Sequence, residues 1–234
     1  MALPLLAACS QTSDPVEKPL NLAEGLDRDS VMVCRFDRES KDEQHHLNAA
    51  WYLFRAPDRV ESYDELLRQS QIWERDQEGR VFEMRVFHDE NLVLEVSNGD
   101  LLASGQLPKW STIRSVVGVE DLKENYRKLG SKKSGVGEIE SFEGHPDGVE
   151  TKLDWLPGLE LPVSISKISP KGVDEIRLVG CWRPEQSEVH GTTQQQLLDY
   201  RHIDFSDLGD MESDPQVQRI SKLLGHSHEE EAHH

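Results

Sequence analysis

The chain has 234 residues, 44 acidic against 26 basic, for a net charge of −18. That field repels phosphate backbones and anionic bilayer surfaces, which argues against a general nucleic-acid binder and against membrane attachment through a basic patch. Apolar residues make up 36 % and charged residues 30 %, and no run reaches the roughly 18 apolar residues of a spanning helix, so one polar-surfaced α+β domain with a modest core is expected.

The first segment, LPLLAACSQTSDP (residues 3–15), ends a short apolar run on Cys9. Leu6, Ala7, Ala8 and Cys9 resemble the lipobox of bacterial lipoproteins. The resemblance implies cleavage before Cys9 and acylation of its thiol, and Ser10 in the next position implies the outer membrane. No Lys or Arg precedes Cys9, and the run is shorter than the about 7–15 apolar residues of a signal peptide; a start upstream of residue 1 would account for both. Residues 1–9 are thus expected to be a signal remnant. Residues 10–30 carry Pro15 and Pro19 without apolar periodicity, which suits a flexible tether.

A single domain is expected over residues 31–222. VMVCRF (31–36) has strand composition. In the next candidate, Trp51, Leu53 and Arg55 share one face while Tyr52 and Phe54 take the other. Residues 71–97 read as an antiparallel meander, with turns at DQEG and HDEN. Ser111 or Thr112 can open a helix. A second helix is expected from Val119 to Leu129, striped by Leu122, Tyr126 and Leu129 and ended by Gly130. Two hairpins follow, turning at HPDG and SPKG. GTTQQQLLDY suits a short helix, and Asp214-Pro215 opens a last one with Val217, Ile220 and Leu224 on one face. No βαβ rhythm appears, so a parallel sheet is not expected.

The segments WYLFRAPDRVE and LDWLPGLELPVSISKI resemble, in order and composition, the early strand and the later strand pair of the LolA/LolB superfamily. The resemblance implies a curved antiparallel half-barrel with helices on its concave side. It also implies an apolar ligand, such as an acyl chain, or a lipoprotein-like partner. It would place Trp51, Leu53, Phe82, Met84 and Trp155 on the cavity wall; as ordinary core residues they need no ligand at all.

No nucleophile elbow, Walker loop, HExxH or GxGxxG is present, so an enzyme is not expected and no cofactor is called for beyond a lipid at Cys9. The three cysteines contain no CxxC. With Cys9 acylated, Cys34 and Cys181 are either two buried thiols or a disulfide, the latter requiring an oxidising compartment. Asp204, Asp207, Asp210, Glu212 and Asp214 alternate with Ile203, Phe205, Leu208 and Met211. That pattern fits a segment laid on the sheet better than a cation loop. Residues 223–234 form a polar tail expected to be disordered, whose His226, His228, His233 and His234 offer nitrogen donors for weak zinc or copper binding. The leading expectation is a monomeric, lipid-anchored protein of the periplasmic face holding an apolar ligand. The alternatives are a metal-handling accessory protein and a structural envelope lipoprotein docked to a partner.

Overall fold

A computed structural model of the protein describes residues 20–42, 46–170 and 172–232, with residue 42 and residues 225–232 described by backbone alone. Thirteen strands form one open, mostly antiparallel sheet. In chain order the elements are β1 (Asn21–Leu22), β2 (Met32–Asp42), β3 (His46–Arg55), β4 (Arg59–Asp64), β5 (Gln69–Arg75), β6 (Val81–Phe87) and β7 (Leu92–Val96). Then come α1 (Asn98–Ser104), α2 (Trp110–Ser115), α3 (Val119–Asn125), β8 (Tyr126–Ser134), β9 (Gly137–Gly144), β10 (Glu150–Leu156), β11 (Leu161–Ser169) and β12 (Gly172–Trp182). The chain closes with α4 (Gln194–Asp199), β13 (Arg201–Asp204) and α5 (Pro215–Ala232).

The sheet is built from two local meanders, β2 to β7 and β8 to β12. Each strand in them pairs with its sequence neighbour, which keeps loop-closure cost low. One long antiparallel ladder, β12 on β2, joins the halves. Cys34 and Cys181 are direct register partners in that ladder and form a disulfide across 147 residues of chain. Both are fully buried. Among the described residues the parallel pairings are β13 on β7 and the short β1 on β12.

Alternate residues of a strand point to opposite faces. On one face Met32, Cys34, Phe36 and Leu53 lie under the apolar side of α2, which contributes Trp110 and Ile113. Leu122 of α3 packs on the same face against Leu153, Trp155 and Ile165. At the other end of the sheet, Val217, Ile220 and Leu224 of α5 cover Phe87, Leu92, Leu94 and Ile203. Asp214 caps α5 by accepting from the Gln216 amide. Of the apolar residues expected to lie on the sheet, Ile203, Leu208 and Met211 of the acidic segment turn inward while Asp207 and Asp210 stay exposed; Phe205 does not join them and is 40 % exposed. The opposite face carries Tyr52, Phe54 and Tyr63 against Val189, and Ile72, Met84, Val86 and Val93 against Leu197 of α4. Three helices therefore share the inner face, and α4 sits outside.

Three expectations change. The helix predicted over Val119–Leu129 stops at Asn125, and Tyr126 starts β8. Tyr126 pairs with Gly144, where a Cβ would stand 2.3 Å from the Asn125 carbonyl oxygen, so glycine alone permits the approach. Of the tether predicted over residues 10–30, the described part, residues 20–30, joins the fold. Leu20, Leu22 and Leu26 pack against the core and β1 pairs with β12. The tail predicted from residue 223 continues as α5 backbone to Ala232. Cys9 lies outside the described residues.

Candidate functional site

Over the inner face, α2–α3, α5 and the strands between them line a cavity of about 780 Å³. Its walls come from both halves of the sheet: Trp51 on β3, Phe87 on β6, Ile165 on β11 and Ile176 on β12, with Leu224 of α5. Because α5 sits on one end of the sheet and α3 on the other, a shared cavity requires the face between them to be concave. The α2–α3 connection lowers Val116 and Val117 into the space. Val116 has φ +65°, a backbone region costly for a β-branched residue, and it is held there by packing against the apolar clusters under both α2 and α3. A smaller pocket of about 210 Å³ adjoins the first, sharing Trp51, Ser62, Gln71, Thr112 and Val116, and adds Leu53, Val60, Trp73 and Ile113.

The wall is not uniformly apolar. Ser62, Gln71 and Arg85 are successive register partners on β4, β5 and β6, and they form a polar row across the floor. Glu83, 1 % exposed, lies two residues before Arg85 on the same strand face. It accepts from Arg85 Nε at 2.6 Å, from Arg85 Nη2 at 3.3 Å and from Gln71 Nε2 at 2.7 Å. A carboxylate only accepts, so both partners are fixed by it. Nearer the hairpin tips the lining includes Asp64, which accepts from the Leu67 amide, and the cross-strand partners Lys167 and Asp174. Tyr126, half-buried at the α3 end, has its phenol pushed to higher pKa by burial.

The structure places the five residues expected on the cavity wall differently. Trp51 lines the main cavity and Leu53 the smaller pocket, where it is 2 % exposed. Trp155 is on the inner face but packs into the core beneath α3. Phe82 and Met84 belong to the opposite face, since β6 turns Val81, Glu83, Arg85 and Phe87 inward; Met84 packs beside Leu197. The polar row and the α2–α3 valines were not anticipated. The signal for the row was available, because Glu83 and Arg85 interrupt an otherwise apolar strand on one parity.

Two other buried polar groups hold the frame. Arg55, 1 % exposed, donates to the carbonyls of Leu159 (2.9 Å), Arg114 (3.3 Å) and Asp27 (3.4 Å), tying β3 to α2 and to two loops. Burial lowers its pKa to about 10. On the outer face Glu61, also 1 % exposed, accepts from the Thr192 amide, from Thr192 Oγ1 at 2.6 Å and from Ser70 Oγ at 2.8 Å. Since Ser70 spends its proton on Glu61, it accepts from His88 Nε2 at 3.0 Å. Nδ1 of neutral His88 then accepts from the Tyr200 hydroxyl at 3.2 Å. Burial depresses the His88 pKa. Ser70 is 2 % exposed, so this chain of donors is a fastening for α4 and the 187–193 loop and offers no reachable nucleophile.

Among the described residues no three His, Cys, Asp or Glu side chains gather as a metal site. The side chains of His226 and His228, and all of His233 and His234, lie outside what is described. No helix among the described residues is long and apolar enough to cross a membrane.

The chain matches no protein-family model and no curated protein. Solved structures similar in shape include an uncharacterised conserved protein from Thermus thermophilus, with 12 % identity, TM-score 0.43, and coverage of 74 % of this chain and 90 % of that one. They also include a putative outer-membrane lipoprotein-sorting protein domain from Vibrio parahaemolyticus (12 %, TM-score 0.32, 70 % and 89 %). A LolA superfamily protein from Nitrosomonas europaea is a third (8 %, TM-score 0.33, 72 % and 89 %).

Proposed function

We propose that this protein is a non-enzymatic binding protein of the bacterial envelope that holds an acyl-chain amphiphile in the cavity on its concave face. The observation that carries the reading is the cavity itself. Its volume of about 780 Å³ falls within the about 300–1,000 Å³ of small-molecule sites. Trp51, Phe87, Ile165, Ile176 and Val117 provide apolar wall without filling it with their own packing. Burial of a chain against them supplies the driving force, at about 25 cal/mol per Å² of apolar surface removed from water.

Two features support an envelope compartment. A disulfide at Cys34–Cys181 belongs to an oxidising space. The lipobox-like run ending at Cys9 suits export followed by acylation. Several acyl chains on one cysteine would hold the protein at a membrane despite its −18 charge. The chain before Leu20 would then act as the leash.

The test is a Cys9→Ala chain exported to the periplasm, purified without detergent and extracted for mass spectrometry. A fatty acid, lysolipid or related single-chain amphiphile in near-stoichiometric amount is expected. Val117→Trp, which fills the cavity from a half-buried position, should remove it while the fold survives. Protein that emerges empty and fails to take up any such molecule on titration sinks the reading. Loss of radiolabelled fatty acid in Cys9→Ala, against wild type, checks the anchor separately.

A further inference from the structure

The polar row across the cavity floor keeps donors that Glu83 does not take up. Ser62, Gln71 and Arg85 stand side by side on three adjacent strands. Neighbouring strands lie about 4.8 Å apart, so the row spans about 10 Å. Arg85 gives Nε and Nη2 to Glu83, leaving Nη1 without a partner among the described residues. Gln71 gives one amide hydrogen to Glu83 and keeps the other. The Ser62 hydroxyl has no partner among the described residues. Three donors are thus presented to a cavity, with two of them locked from behind by a carboxylate that is 1 % exposed.

A purely hydrocarbon ligand would strand these donors away from water, each losing its hydrogen bond without a replacement. The nearby carboxylates do not satisfy them. Asp64 accepts from the Leu67 amide and Asp121 from Thr112 Oγ1.

Resting on the cavity reading above, we infer that the Ser62–Gln71–Arg85 row is a head-group subsite for an anionic, single-chain amphiphile. A carboxylate or phosphate oxygen accepts from Arg85 Nη1 and Gln71 Nε2, with Ser62 completing the set. The chain runs along Trp51, Ile165 and Ile176 toward Leu224. Arg85 is held by Glu83 in one orientation, so little side-chain freedom remains to be lost when the head group arrives.

The experiment uses the Cys9→Ala chain, titrated with palmitate, hexadecyl phosphate and methyl palmitate and read by isothermal calorimetry. Palmitate or hexadecyl phosphate should bind about tenfold or more tightly than the ester, the scale of one charge-assisted hydrogen bond. Preference between the two acids identifies the head group as carboxylate or phosphate. Arg85→Gln should lower affinity for the favoured acid about tenfold and leave methyl palmitate unchanged. Because that change leaves Glu83 buried beside a neutral amide, Ser62→Ala serves as the milder variant, expected to weaken the acid alone. If methyl palmitate binds as tightly as both acids, the subsite is overturned while the cavity reading stands. If none of the three binds, both fall together.

Discussion

The Cys34–Cys181 bond supports a quantitative prediction about stability. Among the described residues the β2–β12 ladder is the strand pairing that joins the two halves of the sheet, and the bond sits inside that ladder. Its sequence separation is 147 residues. In the chain-entropy treatment a loop of that size loses about 17 cal/mol/K from the unfolded ensemble, or about 5 kcal/mol at 25 °C. For a domain of this length that is about 10–20 °C in Tm. The assay is guanidinium unfolding followed by tryptophan fluorescence, with and without a phosphine reductant, after equilibration long enough for the unfolded state to be reduced. The reduced protein should unfold at markedly lower denaturant concentration. The double variant Cys34→Ala/Cys181→Ala should behave like reduced wild type and be insensitive to reductant. A difference under about 1.5 kcal/mol between oxidised and reduced protein would refute the argument, because it would mean the unfolded halves are not separated as the topology implies.

Thr192→Val keeps the shape but removes the Oγ1 donor to buried Glu61; a loss of about 1.5–3 kcal/mol is expected in denaturant melts, with the 187–193 loop becoming protease-sensitive. Ile220→Ala, at a fully buried position of α5, should cost about 2–5 kcal/mol and raise amide exchange along that helix before the rest of the domain. Two histidines should pull the pH–stability curve in opposite directions. His88 has its folded pKa lowered by burial, so its contribution is present above its unfolded pKa and is lost as pH falls through the folded value. His202 has its folded pKa raised, first by the Leu197 carbonyl and also by Glu95, so its contribution is present below its unfolded pKa and is lost as pH rises through the folded value. His88→Asn should flatten the acid side of the profile and His202→Asn the near-neutral side, as measured by Tm across pH 4 to 9; the reverse assignment would contradict both environments.

Much of the frame was legible locally. The turns at HDEN and HPDG, the Asp214-Pro215 helix start and the Val217, Ile220, Leu224 stripe each depend on a few consecutive residues, and each takes the expected form. The division of β3 into a Trp51–Leu53–Arg55 face and a Tyr52–Phe54 face also follows from strand parity alone.

What local pattern could not decide was anything set by a distant neighbour. Strand β6 is covered on both sides, by α5 and by α4, so Phe82, Met84, Val86 and Phe87 are apolar on both parities and the inner set cannot be told from the outer. Tyr126 and Leu129 sit at helical spacing after Leu122, yet pairing with β9 outweighs that stripe and makes a strand. The Cys34–Cys181 bond and the Ser62–Gln71–Arg85 row exist only once register is fixed between strands, by a ladder whose partners are far apart in sequence in the first case and by three consecutive hairpin strands in the second. Composition and periodicity determined the class of fold and the places where the chain turns. Register and helix docking, which depend on the free energy of the whole packed sheet, decided which residues face the cavity and therefore what it can hold.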